Sequence, residues 1–496
     1  MFCNPLTEKA TVDPSGGMRG STSMRSMLTL AVLAALLPVA WYGCRFMYRR
    51  WLEPVSPVIT VIEAPRGVGI TPVSVRLSLQ DNGSGLDEVV VRTRQNRTAA
   101  ELLRKKLGGV RSAQVTVEIP GERSVLEEGT ADLEIRTYDR SLWSNASEKR
   151  LSLQVDYRKP KIGVVSTQHN VVQGGSQLVF YNAYDENLAV SGIKVGNRTF
   201  LGYPARGIDE SLNDPALYVA VYAVDADQSV DGLSIRAFAE DQVGNATSIS
   251  FFSKVRSREW RNVNQTLAED FMRGRVTDLA RANEAKLKGA GSVAQGRKRS
   301  DQALVEQFKL VNENLRNLNE TAIVSAMHTQ HFGRYFEAPF VQSAGVAKVL
   351  FGDKISFNWE NRALGTLRQR GYELAFSQEE ADVYAAANGI VLFVDNCGVY
   401  GSCMVVDHGL GVTSTYGYLS NAAVRKGEQV AAGQKIGTAG DSGMTKGTRL
   451  YFEVRIQGVA VDPREWWDRG WYYSQVTAKI NEARRAQGLS AYQAGH

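Results

Sequence analysis

Four kinds of hydrophobic spacing follow one another along the chain, and each predicts a different element. Met27 to Cys44 (MLTLAVLAALLPVAWYGC) is a run of 18 residues without a charge. As a helix it extends about 27 Å, just enough to cross a hydrocarbon core. Trp41 and Tyr42 at its end suit a membrane interface. After Pro54, apolar and polar residues alternate in short runs broken by Gly, Asn and Asp, as in "SPVITVIEAP", "VSVRLSLQDNGSG" and "KRLSLQVDY". That is the pattern of strands at sandwich spacing. From Trp260 to about Thr329 the spacing becomes three and four. Leu304, Phe308, Val311, Leu315 and Leu318 predict an apolar stripe facing a partner, and "GAGSVAQGRKRS" divides two such runs into a helical hairpin. From about Phe336 the chain is again β-rich and full of glycine.

The strand region is written twice. "LEIRTYDRSLWSNAS" (Leu133 to Ser147) aligns without gaps on "LSIRAFAEDQVGNAT" (Leu233 to Thr247), matching Leu, Ile, Arg, Asn and Ala at an offset of 100 residues. Two tandem β-sandwiches are expected, over 56–156 and 157–256. They resemble the immunoglobulin-like modules of envelope proteins, a resemblance that implies spacers or docking surfaces and names no partner. Asp81, Asp87, Asp139, Asp185 and Asp241 stand near the turns; turn chemistry explains them more simply than calcium does.

Length and charge refine this picture. A chain of 496 residues is too long for one core. The net charge of +6 is mild, but between Lys254 and Arg299 twelve Lys/Arg face only five Asp/Glu. A solvated helical face accounts for that stretch, and interspersed acids with no recognition motif exclude nucleic acid as a partner. Basic residues flank the apolar run on both sides, so charge does not fix its direction. Trp41-Tyr42-Gly43-Cys44 offers no small-residue cleavage site, which favours an uncleaved anchor. Cys397 and Cys403 lie on two apolar strands around Gly398 to Gly401. A hairpin there permits a disulfide, fitting an oxidising compartment; two buried thiols are the equal alternative.

The phrases "AAANGIV", "VVDHGLGV", "TYGYLS", "VRKGEQVAAGQKIGTAG", "RLYFEV" and "VDPREWW" resemble the lysostaphin/LytM-type zinc endopeptidases, which cleave peptide cross-bridges in bacterial peptidoglycan. The resemblance covers roughly residues 350–473. Together with the spacing along the rest of the chain, it gives a mainly β multidomain expectation: a cytoplasmic tail (1–26), a transmembrane anchor (27–48), the two sandwiches, a helical hairpin (257–335), a LytM-type β-sheet domain (336–473) and a C-terminal helix and tail (474–496). The expected setting is the inner membrane, single-pass, with the bulk of the chain in the periplasm.

In that family a His and an Asp of one phrase and a His of another hold zinc, and two further His handle protons. Three protein ligands plus water is the general design of a catalytic zinc site. Here the ligand positions carry Gln369, Glu373 and Tyr451, and the proton-handling positions carry Tyr418 and Arg449. An amide oxygen and a phenol are poor zinc donors. A guanidinium about 4 Å from a divalent ion costs several kcal/mol even at an effective dielectric of ~20. Neither catalysis nor a metal cofactor is therefore expected. Arg449 and Glu373 are candidates for a salt bridge, and Tyr416, Tyr418, Arg449 and Tyr451 for a binding groove. His408, the histidine left in this domain, reads as a satisfied core residue, and His328 and His331 lack a third ligand. The expected function is binding peptidoglycan or regulating a cell-wall hydrolase. The alternatives are an active zinc metalloendopeptidase with atypical ligands, which would need zinc, and a structural envelope scaffold.

Overall fold

The computed structural model describes residues 24–51, 54–121, 126–288, 300–327 and 331–492. The chain divides into two compact units, Met1–Tyr157 and Arg158–His496. One helix, Met24–Trp51, carries the long apolar run. Among the described residues no helix is long and apolar enough to cross a membrane; the anchor expected over 27–48 falls partly on residues whose side chains lie outside the described ones. The hairpin linker and His328 also lie outside them.

In the first unit a three-stranded sheet (Val58–Glu63, Val73–Gln80, Ser112–Ile119) and a five-stranded sheet share one core. Alternation decides which side chains meet. Val75, Leu77 and Leu79 of one sheet are buried in the same cluster as Val89, Val91, Leu133 and Ile135 of the other. The turn after Gly129–Asp139 is closed by Asp139, which accepts hydrogen bonds from the Ser141 backbone (3.1 Å) and Asn145 Nδ2 (2.8 Å). In the second unit Asp241 does the same for the Val243 backbone (2.9 Å) and Asn245 Nδ2 (2.8 Å). The repeat is thus structural, with a loop two residues longer in the first copy, so the ungapped alignment pairs the asparagines and misses the aspartates.

The second sandwich stacks two four-stranded sheets, one centred on Ser176–Tyr184 and Leu217–Ala223, the other on Leu188–Val195 and Ile235–Asp241. Its core runs without interruption into that of the C-terminal sheet. The closing helix Ala478–Ala486 docks onto it, with Arg484 Nη1 2.6 Å from Asp209 Oδ2.

Between them lies the helical segment. Leu304, Phe308, Val311 and Leu315 are buried as the spacing requires, but Leu318 is 46 % exposed. The π-helical stretch Leu310–Leu315 adds a residue to the turn and rotates the face that follows, so Asn319 and Ile323 point inward instead. Ahead of the helices, Asn262–Thr266 pairs in parallel with Lys354–Trp359, tying the segment to the hairpin that enters the last domain. That domain is a ten-stranded sheet whose middle runs Tyr372–Ala375, Arg449–Ile456, Val412–Ala422, Ser402–Asp407 and Gly389–Asn396.

Candidate functional site

Register places the five singled-out positions. Strands Tyr372–Ala375 and Arg449–Ile456 are antiparallel with Glu373 opposite Tyr451 and Ala375 opposite Arg449. Period-two alternation puts Arg449, Tyr451 and Glu453 on one face, with Glu373 beside them. Arg449 Nη1 lies 2.9 Å from Glu373 Oε2, and the other carboxylate oxygen accepts from Tyr418 Oη (3.3 Å) and Gln369 Nε2 (3.4 Å). All three contacts converge on Glu373.

Tyr418 reaches this face by breaking the strand's alternation. Its φ is +64°, left-handed backbone that a bulky residue seldom adopts, and the ladder to Ser402–Asp407 shifts register at the same place. The consequence separates two tyrosines that alternation alone would put on one side. Tyr418 joins Tyr400 and Tyr451 in one cluster; Tyr416 points into the other core, where its hydroxyl accepts from the Ala386 backbone at 2.7 Å. Tyr416 is therefore no part of the groove.

The groove is a cavity of about 230 Å³ lined by Glu373, Tyr418 and Arg449 on the sheet side and by Leu267, Phe271 and Arg316 from the helical side. Tyr451 lies under its floor, 1 % exposed, donating to Glu453 Oε2 at 2.8 Å. Burial, and then the neighbouring carboxylates, hold the hydroxyls of Tyr418 and Tyr451 well above the ordinary tyrosine range, so both stay protonated donors. Gln369 also borders a second cavity of about 180 Å³ beside Arg368, Arg370 and Arg455. Two exposed ion pairs, Lys446 to Asp270 (2.6 Å) and Arg275 to Asp441 (2.8 Å), join the glycine-rich loop at the groove's rim to the helices.

Beneath the floor runs a buried charge network that sequence reasoning missed. Arg455 is 1 % exposed; its Nε stands 2.6 Å from Glu453 Oε1, and its Nη2 pairs with Glu320 on helix Arg316–Ala326. Tyr400 Oη also donates to Glu320, and Arg370 Nη1 lies 3.3 Å away. Burial pushes the Glu453 carboxyl up, against the pull of Arg455. Alternating apolar and charged residues in "YFEVRI" suggest a strand with one wet face; the covering helix makes that face dry.

Other expected positions are placed as follows. His408 is fully buried, bonded through Nδ1 to the Asn388 carbonyl (2.8 Å) and through Nε2 to Ser414 Oγ (2.7 Å), and burial lowers its pKa to about 4. His331 Nδ1 pairs with Asp407 Oδ2 at 2.8 Å. Cys397 and Cys403 are joined by a disulfide across the Gly398–Tyr400 turn, with Cα atoms 6.0 Å apart.

A model of peptidase family M23 matches residues 368–463, the strands that carry this site. Over 82 residues the chain is 40% identical to lipoprotein NlpD of Yersinia enterocolitica, a match covering 84% of that relative and 16% of this chain. The chain belongs to peptidase family M23. It is also 45% identical over 105 residues to the murein hydrolase activator EnvC of Escherichia coli (21% of this chain, 25% of that protein). It is 31% identical over 114 residues to the peptidoglycan DD-endopeptidase ShyA of Vibrio cholerae (22% of this chain, 26% of that protein). The chain spans about a quarter of the length of these last two relatives.

Proposed function

We propose that this chain is a non-catalytic, membrane-anchored envelope protein whose M23 domain regulates a cell-wall hydrolase through its groove. The observation that carries the reading is the Glu373–Arg449 ion pair, formed at the family's metal and proton-handling positions. The residues there do not fit zinc. The one carboxylate is already bonded by a guanidinium, a phenol and an amide. The phenol at the remaining ligand position is buried, protonated and engaged with Glu453. A metal would have to displace a permanent cation from its counter-ion, with a second guanidinium, Arg316, lining the same cavity.

Two relatives, EnvC of Escherichia coli and NlpD of Salmonella typhimurium, bear the name murein hydrolase activator, which supports the regulatory side of the reading. The apolar run Met27–Cys44 on one continuous helix supports the anchor, and the two sandwiches, read as immunoglobulin-like, supply reach beyond it. The Cys397–Cys403 bond fits a periplasmic setting.

The deciding experiment loads the purified chain with zinc, measures bound metal, and assays it on isolated sacculi alone and together with a purified amidase. Less than 0.1 equivalent of zinc and no cleavage alone, with faster cleavage by the amidase, is the expected result; those thresholds are order-of-magnitude choices, roughly tenfold below a full site. Stoichiometric zinc with cleavage by the chain alone would falsify the proposal.

A further inference from the structure

The wall of the groove supplied by the helices carries a cation of a particular kind. Arg316 lines the cavity with Arg449, yet its partners are all neutral: Nε donates to the Asn312 carbonyl (3.2 Å), Nη2 to Asn312 Oδ1 (3.1 Å) and to Met444 Sδ (3.6 Å), and the guanidinium stacks 5.6 Å above the Tyr400 ring. No carboxylate lies within ion-pair distance of it among the described residues. Glu320, one turn further along the same helix, is taken by Arg455, Arg370 and Tyr400. Glu373 is taken by Arg449, and Lys446 at the rim by Asp270. The cavity is therefore left with one guanidinium in excess, held in a fixed orientation by neutral acceptors and an aromatic face.

Such a group is costly to bury and is matched by a planar anion, since its fork of donors fits a carboxylate in two-point contact. Leu267, Phe271, Ile355 and Phe357 give the lining an apolar side, beside the polar Gln265 and Thr445. About 230 Å³ is too small for a folded element and fits one or two side chains of an extended chain. We propose that the groove captures an acidic residue flanked by apolar ones in a protein partner, with Arg316 as the carboxylate anchor. This rests on reading the groove as a binding surface rather than a catalytic one. The anchor comes from outside the residues that match the family, so it is a property of this chain's helical segment.

The probes are acetyl-Leu-Glu-Leu-amide and its isostere acetyl-Leu-Gln-Leu-amide, titrated against the full chain in detergent by saturation-transfer NMR. A charge-assisted contact predicts at least about tenfold tighter binding of the Glu peptide. Propionate should displace it, and propionamide should not. Arg316→Met should abolish the preference, and Arg316→Lys should keep part of it. Equal binding of the two peptides, or displacement by propionamide as readily as by propionate, overturns the anchor; both are read on the unaltered chain, so a misfolded variant does not blunt the test. Isolated muropeptides competing more strongly than the Glu peptide would overturn the assignment to a protein segment. Loss of the Glu preference leaves the regulatory reading standing. Zinc-dependent cleavage with the preference intact removes the regulatory reading and overturns the protein partner with it, whatever Arg316 then contacts.

Discussion

Replacing Arg455 by methionine tests whether the network under the groove is what fixes the helical segment to the sheet. Methionine keeps most of the side chain's volume and removes only the charge and its donors. The two carboxylates left behind, Glu453 and Glu320, have side chains 1 % and 10 % exposed, so water cannot solvate them in place of the lost cation. Arg370 still reaches Glu320 at 3.3 Å, but Glu453 keeps only the Tyr451 hydroxyl at 2.8 Å. Breaking a buried pair in this way costs about 3–5 kcal/mol. The loss depends on pH. Burial already raises the Glu453 carboxyl, and removing Arg455 raises it further, so acid relieves the variant by protonating the stranded group. Urea denaturation of the chain from Pro54 onward should show the full cost at pH 8 and a smaller one at pH 5. The double variant Arg455→Met/Glu453→Gln should recover at least about 1 kcal/mol of it, because the one carboxylate then left beside the methionine, Glu320, still has Arg370. A single-variant cost below about 1 kcal/mol at pH 8, or a double variant no better than the single, refutes the reasoning.

Two further outcomes follow from other buried groups. Glu465 accepts from the Ser176 backbone and hydroxyl at 2.8 and 3.2 Å, and burial, with Asp462 nearby, raises its pKa from 4.5 to about 8. A raised acid stabilises the fold below its unfolded value and loses that contribution as pH climbs toward 8, so Glu465→Gln should flatten the decline in melting temperature between pH 5 and 8; an unchanged slope counts against it. The Cys397–Cys403 bond closes a short loop, for which chain entropy gives about 2 kcal/mol. Denaturation of Cys397→Ser/Cys403→Ser should show a loss of that order, and an unmoved midpoint would discount it.

The β-rich plan and the M23 domain were legible because both rest on local rules: period-two burial, glycine-bearing turns, and phrases that stay contiguous in the chain. The Asp–Asn turns were legible for the same reason. What failed was whatever depends on a break in local regularity. Tyr416 and Tyr418 are two residues apart and should share a face; one positive φ, next to Gly417, sends them to opposite cores. Leu318 belongs to the stripe until a π-turn rotates the helix. Arg316 and Glu320 lie ahead of the M23 match at 368–463, and nothing in helical spacing marks a cation as groove-lining rather than solvated. Arg455 and Glu453 sit in a strand that would pass for half-exposed, and only the covering helix makes their charge a buried one.

The paired aspartate and asparagine that close one turn in each sandwich hold very different contents. In one, Val243 tucks against the body at 8 % exposure; in the other, Leu142 and Trp143 stand 64 % and 68 % clear of it. In the first turn Ser141 shares in the clasp through its backbone and hydroxyl, so only the exposed Leu142 and Trp143 are released from duty to the fold. The first sandwich can thus vary its tip at those two positions without cost to its scaffold, whereas Val243 ties the second tip to the body beneath it.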